Sequence, residues 1–137
     1  MKWALKGLLA HSPRPGFPVV LPDAKVVRQW TAAALKEGIR SILCILEPEQ
    51  LAYYDRIDLG GVGLLDYYRG CGLNVAHIPA ADHRMPPLSP EELARVWDEF
   101  ATLEKPVLVH CNAGIDRTGA AVQYIRTELE QGLSTNC

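Results

Sequence analysis

Cysteine is scarce and scattered in this chain. Cys44, Cys71, Cys111 and Cys137 are the four among 137 residues, and no two form a C-x-x-C pair. That spacing excludes zinc-ribbon and thioredoxin-like readings, and a chain of this size needs no disulfide framework. An excess of one charge is also lacking. Lys and Arg number 14 against 16 Asp and Glu, a net charge of −2, so bulk electrostatics gives no reason to expect nucleic acid or an anionic membrane as a partner. No apolar run approaches the roughly 20 residues of a transmembrane helix. The opening MKWALKGLLAH is broken by Lys6 and Gly7, too early for a signal sequence. The expectation is a soluble chain in the reducing cytoplasm, with any anion site local and the oligomeric state open.

What is present is an apolar fraction of 48%, enough for one domain with its own core over residues 1–137. Strand-like and helix-like runs alternate. A short strand is expected around residues 3–5, followed by HSPRPGFPVVLP as a proline-rich connector. Asp23 reads as the N-cap of AKVVRQWTAAALKE, with Gly38 as its C′ residue. RSILCIL, residues 40–46, is too continuously apolar for a strand with one wet face and belongs in the centre of a sheet. Pro48 opens a short helix through Leu51 and Tyr54. LLDYYRGCG is a further helix ending near Gly70 or Gly72, and LNVAHIP another strand.

Ser89-Pro90-Glu91-Glu92 is a capping box with proline at the first helical position, opening LARVWDEFATLE. PVLVH, residues 106–110, is the last strand, and the final helix is expected to end near Gln131 with Gly132 as its stop. This alternation predicts an α/β fold in one domain, a mainly parallel central sheet flanked by helices on both faces. In such sheets ligands gather at the carboxyl ends of strands. Cys111 follows one such end, and Asp82 lies in the loop AADHRMPP after another.

The stretch HCNAGIDRTG, residues 110–119, therefore joins a strand to a helix through a glycine-bearing turn. Such a turn makes a nest of backbone N–H groups at a helix N-terminus, which suits a phosphate. Cys111 would sit beside that helix end, below inward-pointing amides and near Arg117. All three favour the thiolate, which is the nucleophilic form. The same groups bind phosphate oxygens, Arg117 with a planar bidentate fork. Gly114 lets the backbone turn tightly. Thr118 is expected to open the helix and offer its hydroxyl to the thiolate.

HCNAGIDRTG matches the pattern HC-x5-R-[ST]-G, and here the chain resembles the cysteine-dependent protein tyrosine phosphatases. A late cysteine with an aspartate loop upstream is the order of the dual-specificity branch. The likeness extends more loosely from GLLAHSPRPG through HIPAADHRMPPLSPEEL to RTGAAVQYIRTELEQGLS. It implies a dual-specificity-phosphatase-like fold and two-step hydrolysis of phosphomonoesters. Cys111 would attack phosphorus to form a cysteinyl phosphate. Arg117 and the loop of Asn112, Ala113, Gly114, Ile115 and Asp116 would bind the phosphate. Asp82 would protonate the leaving oxygen and then activate water, Thr118 would help the thiolate leave, and His110 would brace the loop. No metal or cofactor is implied. The substrate is a phosphorylated protein or small phosphomonoester, phosphotyrosine foremost, with phosphoserine and phosphothreonine open.

Two departures from the family pattern qualify the substrate and the boundary. Lipid-directed members usually carry a lysine before the aspartate of D-R-T-G, where this chain has Ile115, which argues against a polyphosphorylated inositol. The family usually continues past the G-L-S turn into another helix, which this chain is expected to lack. The alternatives are a phosphoinositide phosphatase and a phosphate-binding module without turnover, the latter predicting a damaged Cys, Arg or Asp that is not seen. Sulfur transfer or arsenate reduction on a similar cysteine loop is a further rival.

The remaining residues have plainer readings. Arg14 and Arg84 are expected to be exposed, at most lining a rim, and Asp58 and Asp66 lack the setting of Asp82. His77 and His83 have no metal-ligand spacing. GGVG, residues 60–63, lacks the further residues of a nucleotide loop. Tyr53, Tyr54, Tyr67 and Tyr68 read as core and rim packing. Cys44 reads as core, or as a partner that traps oxidised Cys111 in a disulfide, with Cys71 competing for that role.

Overall fold

The computed structural model describes residues 1–135. Cys137 lies outside the described residues. Five strands form one sheet: β1 (Lys2–Leu5), β2 (Leu9–Ser12), β3 (Ser41–Cys44), β4 (Asn74–His77) and β5 (Val107–His110), in the order β1-β2-β5-β3-β4. The neighbours β2/β5, β5/β3 and β3/β4 are parallel, and β1 pairs antiparallel with β2. The helices are α1 (Ala24–Lys36), α2 (Pro48–Leu51), α3 (Leu64–Gly70), α4 (Pro90–Thr102) and α5 (Asp116–Thr135), with a 3₁₀ turn at Ala52–Tyr54 after α2. No helix among the described residues is long and apolar enough to cross a membrane.

The expected α/β architecture is present. Because successive strand residues point to opposite faces, the sheet separates two cores. Leu9, Leu43, Val107 and Val109 join Val96 and Phe100 of α4 and Ala121 and Ile125 of α5. Ala10, Ile42, Cys44 and Leu108 join Val27 and Ala34 of α1 and Leu64 and Tyr68 of α3. Burial on both faces explains why β3 and β5 read as unbroken apolar runs. Truncating Phe100 to alanine in such a core would cost about 3–5 kcal/mol.

Local signals set the helix starts. The Asp23 side chain accepts from the Lys25 amide at the head of α1. At α4 the Ser89 side chain accepts from the Glu92 amide at 3.1 Å, while Glu92 Oε1 accepts from the Ser89 amide at 2.8 Å. Gly38 takes a left-handed φ of 90° after α1, as a C′ residue should.

Three expectations are corrected. The connector reading began too early, because Leu9–Ser12 is a strand hydrogen-bonded along β5. The prolines that follow obscured a short strand whose partner is almost a hundred residues away. The last helix begins at Asp116, so Thr118 lies inside its first turn. It also runs through Gly132 to Thr135. A glycine disfavours a helix interior by only about 1 kcal/mol, which a long, packed helix can absorb.

Candidate active site

The site lies where three parallel strands end side by side. Ser12 closes β2, His110 closes β5 and Cys44 closes β3, and these residues are in register. Cys111 is the first residue beyond β5 and is buried. The turn after it is packed against the end of β2. Gly114 has φ 75°, and a Cβ there would stand 2.6 Å from the Pro13 nitrogen and 2.7 Å from the Ser12 carbonyl. Both conformation and space therefore demand glycine. The turn delivers the chain into α5, whose N-terminal end carries the positive pole of the helix dipole.

Arg117, in the first turn of α5, is 1% exposed. Its Nη1 donates to the Ala80 carbonyl at 2.8 Å, and its Nη2 donates to Gln50 Oε1 at 2.9 Å. The same Nη2 lies 2.9 Å from Asp82 Oδ2 in an ion pair. Nε is buried with no hydrogen-bond partner. The fold thus brings together the expected anion-binding arginine and the expected acid from two loops that lie apart in the sequence. It also adds Gln50, a residue that no sequence motif marked.

Asp82 is held from several sides. Gln50 Nε2 donates to Oδ2 at 2.9 Å, and the His83 amide donates to Oδ1 at 2.9 Å. His83 adopts φ 59°, a strained left-handed conformation for a residue with a side chain. Burial opposes ionisation of Asp82. The hydrogen bonds from Gln50 and the His83 amide, with the charges of Arg117 and His83, outweigh it and hold the carboxyl below its usual range.

His110 sits under the loop. It is fully buried, with Nδ1 3.3 Å from the Cys111 carbonyl and Nε2 2.9 Å from the Tyr68 hydroxyl. A carbonyl can only accept, so Nδ1 carries the proton and Nε2 accepts from Tyr68. Burial is the main cause that lowers the His110 pKa to about 4, so the ring is neutral near pH 7. The rings of Trp30 and Tyr68 meet it edge-on at 5.5 and 5.9 Å.

Other candidates fall differently. Thr118 is buried, but its hydroxyl has no hydrogen-bond partner, so the expected donation to Cys111 is not made in this arrangement. Asn112, Ala113 and Gly114 are half-buried, while Ile115 and Asp116 face solvent. Arg14 corrects its expectation outright. It is 2% exposed, donating from Nε to Asn112 Oδ1 at 2.6 Å, from Nη1 to the Tyr54 hydroxyl at 3.2 Å and from Nη2 to the Val19 carbonyl at 2.9 Å. Arg84 folds back onto its own loop and Glu92.

The packing of Cys44 disfavours the trapping role. Cys44 belongs to the core under α1 and α3, whereas Cys111 belongs to the core under α4 and α5. Burial also pushes the Cys44 thiol up to about 12. Cys71 follows α3, just before β4 begins, so it lies at the amino ends of the strands and away from Cys111. Among the described residues, no group of three or more His, Cys, Asp and Glu side chains could hold a metal.

Comparison with protein families finds one described as Tc-R-P, polymorphic toxin system, DSP-PTPase phosphatase, matching residues 25–128. That span includes Gln50, Asp82, Cys111 and Arg117 and leaves out Arg14. No curated protein matches the chain.

Proposed function

The chain belongs to the DSP-PTPase phosphatase family of polymorphic toxin systems, and from that premise we propose that it hydrolyses protein phosphomonoesters, phosphotyrosine foremost, through a cysteinyl phosphate on Cys111. The observation that carries the reading is a convergence. Cys111, in the turn after β5, and Arg117, in the first turn of α5, flank one loop, and Asp82, from a loop after β4, stands 2.9 Å from Arg117.

In the first step the Cys111 thiolate attacks phosphorus, the bond from phosphorus to the leaving oxygen breaks, and the Asp82 carboxyl gives that oxygen its proton. In the second, the Asp82 carboxylate takes a proton from water as the water oxygen attacks phosphorus. The sulfur–phosphorus bond breaks, phosphate leaves and the thiolate returns. Arg117 and the amides of the turn stabilise the charge on the equatorial oxygens in both steps.

Asp82 is ionised and paired with Arg117 before substrate arrives, yet the first step needs its proton. The phosphate supplies the change. A dianion that takes the Arg117 donors removes the counter-charge from Asp82 and sets a like charge beside it. Both effects favour the protonated acid. The unpartnered Nε of Arg117 is a donor already available to the incoming oxygens.

A single phosphate on an apolar ring suits the surroundings better than a polyphosphate. Exposed Ile115 and Met85 offer apolar surface, and exposed Asp116 would repel additional phosphates. The test is turnover of p-nitrophenyl phosphate with a chelator present, followed by phosphotyrosine, phosphoserine and phosphothreonine peptides and phosphoinositides. Cys111→Ser is expected to lose turnover and keep vanadate binding, because the arginine and amides still form the anion site. Substantial turnover in that variant would sink the covalent mechanism, and preference for phosphoinositides would move the substrate.

A further inference from the structure

Gln50 is the buried residue of the short helix α2, 4% exposed. A buried amide is costly unless both its ends are satisfied, and here both are. Oε1 accepts from Arg117 Nη2 at 2.9 Å, while Nε2 donates to Asp82 Oδ2 at 2.9 Å. The partners settle the amide's orientation, since a guanidinium only donates and an ionised carboxylate only accepts. With Asp82 Oδ2 itself 2.9 Å from Arg117 Nη2, the three groups close a ring.

We propose that Gln50 is a positioning residue of the phosphatase reaction, holding Asp82 and Arg117 in one frame so that the acid stays beside the arginine when a phosphate claims it. The proposal rests on the phosphatase reading above. Its physical basis is which contacts survive substrate binding. Arg117 Nη2 spends a hydrogen bond on Gln50 and faces Asp82 Oδ2 at 2.9 Å as an ion pair, so a phosphate oxygen binding there competes with the Asp82 pair. The His83 amide belongs to the same loop as Asp82 and moves with it. The other group facing Asp82 from outside the loop is Glu47, whose Oε2 accepts from the Asp82 amide at 3.4 Å and leaves the carboxylate untouched. The imidazole of His83 stands 3.9 Å away and is almost wholly exposed. Gln50 is therefore the side chain on another element that can retain the carboxylate after Arg117 turns to the substrate.

An amide is the side chain that fits both neighbours. Glutamate would keep the acceptor toward Arg117 but set a like charge against Asp82. Leucine would give neither bond.

The experiment compares the full chain with Gln50→Glu and Gln50→Leu. One readout is the Asp82 carboxyl titration by carbon NMR in the ligand-free protein. The other is the pH–rate profile on phosphotyrosine and on an aryl phosphate with a strongly acidic phenol. Both variants are expected to titrate Asp82 at higher pH, because one loses a donor to the ionised form and the other gains a neighbouring negative charge. The basic limb of the rate profile should move the same way. Gln50→Leu should slow kcat on phosphotyrosine by on the order of tenfold to a hundredfold, as displaced catalytic groups do, with less loss on the acidic phenol.

An unmoved Asp82 titration, with equal losses for both leaving groups, would overturn the proposal. If Gln50→Leu fails to fold, the near-isosteric Gln50→Glu decides it alone. Absence of turnover in the unsubstituted protein would fell the phosphatase reading instead, and the Asp82 titration would still judge whether Gln50 holds the carboxyl.

Discussion

Arg14 and Asn112 are joined twice. The Arg14 amide donates to the Asn112 carbonyl at 3.0 Å, and Arg14 Nε donates to Asn112 Oδ1 at 2.6 Å. The segment after β2 is thereby fastened to the residue next to the candidate nucleophile. The partners of this buried guanidinium are neutral oxygens and the rings of Phe17, Tyr54 and Tyr53, the Tyr53 centroid 4.9 Å away, and among the described residues it makes no ion pair with a carboxylate. Its charge is therefore left uncancelled beside a site built for an anion.

Arg14→Met should weaken vanadate inhibition by on the order of tenfold and lower stability by about 2–3 kcal/mol, the usual range for losing hydrogen bonds from a charged group. Arg14→Lys keeps the charge but not the three-way geometry, and should recover part of the vanadate affinity. Vanadate inhibition constants and denaturant unfolding measure the two effects. An unchanged inhibition constant in Arg14→Met would confine this residue to a structural role.

Removal of the acid should depend on the leaving group. A general acid matters most when the departing oxygen is basic, and the phenol of tyrosine has a pKa of about 10. Asp82→Asn should slow phosphotyrosine hydrolysis by on the order of a hundredfold or more and slow release of a highly acidic phenol less. The basic fall in the pH–rate profile should flatten, since the group whose proton is lost there is gone. A leaving-group series across pH makes the measurement. Equal losses throughout would reassign the acid, with Asp116 the next candidate.

His110 should make the fold acid-sensitive above the carboxylate range. Its folded pKa is about 4 against an ordinary 6.5, so the folded state favours the neutral ring. That preference contributes fully above 6.5 and is lost as pH falls from 6.5 toward 4, a difference worth about 3 kcal/mol. His11, also lowered chiefly by burial, acts in the same direction. The decisive comparison is therefore between the unsubstituted protein and His110→Gln. Denaturant midpoints from pH 7 to 4 should fall less steeply in the variant, and parallel slopes would mean that His110 does not carry the effect.

Oxidation should stop at Cys111 itself. Mild peroxide is expected to inactivate the protein and a thiol reductant to restore it. Peptide mapping without reduction should yield no Cys44–Cys111 or Cys71–Cys111 disulfide, because the side chains of the first pair pack into different cores and the length of the strands separates the second. Recovery of either bridge would show that the strands part during oxidation.

Much of the scaffold was legible because its signals are local. The caps at Asp23 and Ser89, the apolar runs of β3 and β5 and the left-handed stop at Gly38 each depend on residues a few positions apart. The cysteine turn is equally local, since Cys111, Gly114 and Arg117 lie within seven residues between a strand and a helix, and their chemistry is readable from that spacing.

What the sequence could not disclose depends on contacts across the chain. Arg14 reads as a surface arginine until Asn112, 98 positions away, arrives to accept its hydrogen bond. Gln50 reads as an ordinary helix residue until Asp82 and Arg117, 32 and 67 positions on, meet at its two ends. Leu9–Ser12 becomes a strand because β5 supplies its partners. Burial of a polar side chain or a short stretch of backbone is favourable only when distant groups satisfy its hydrogen bonds. The amino-acid order thus determined which groups could bind and attack a phosphate. Tertiary packing alone decided which amide would hold the acid to the arginine.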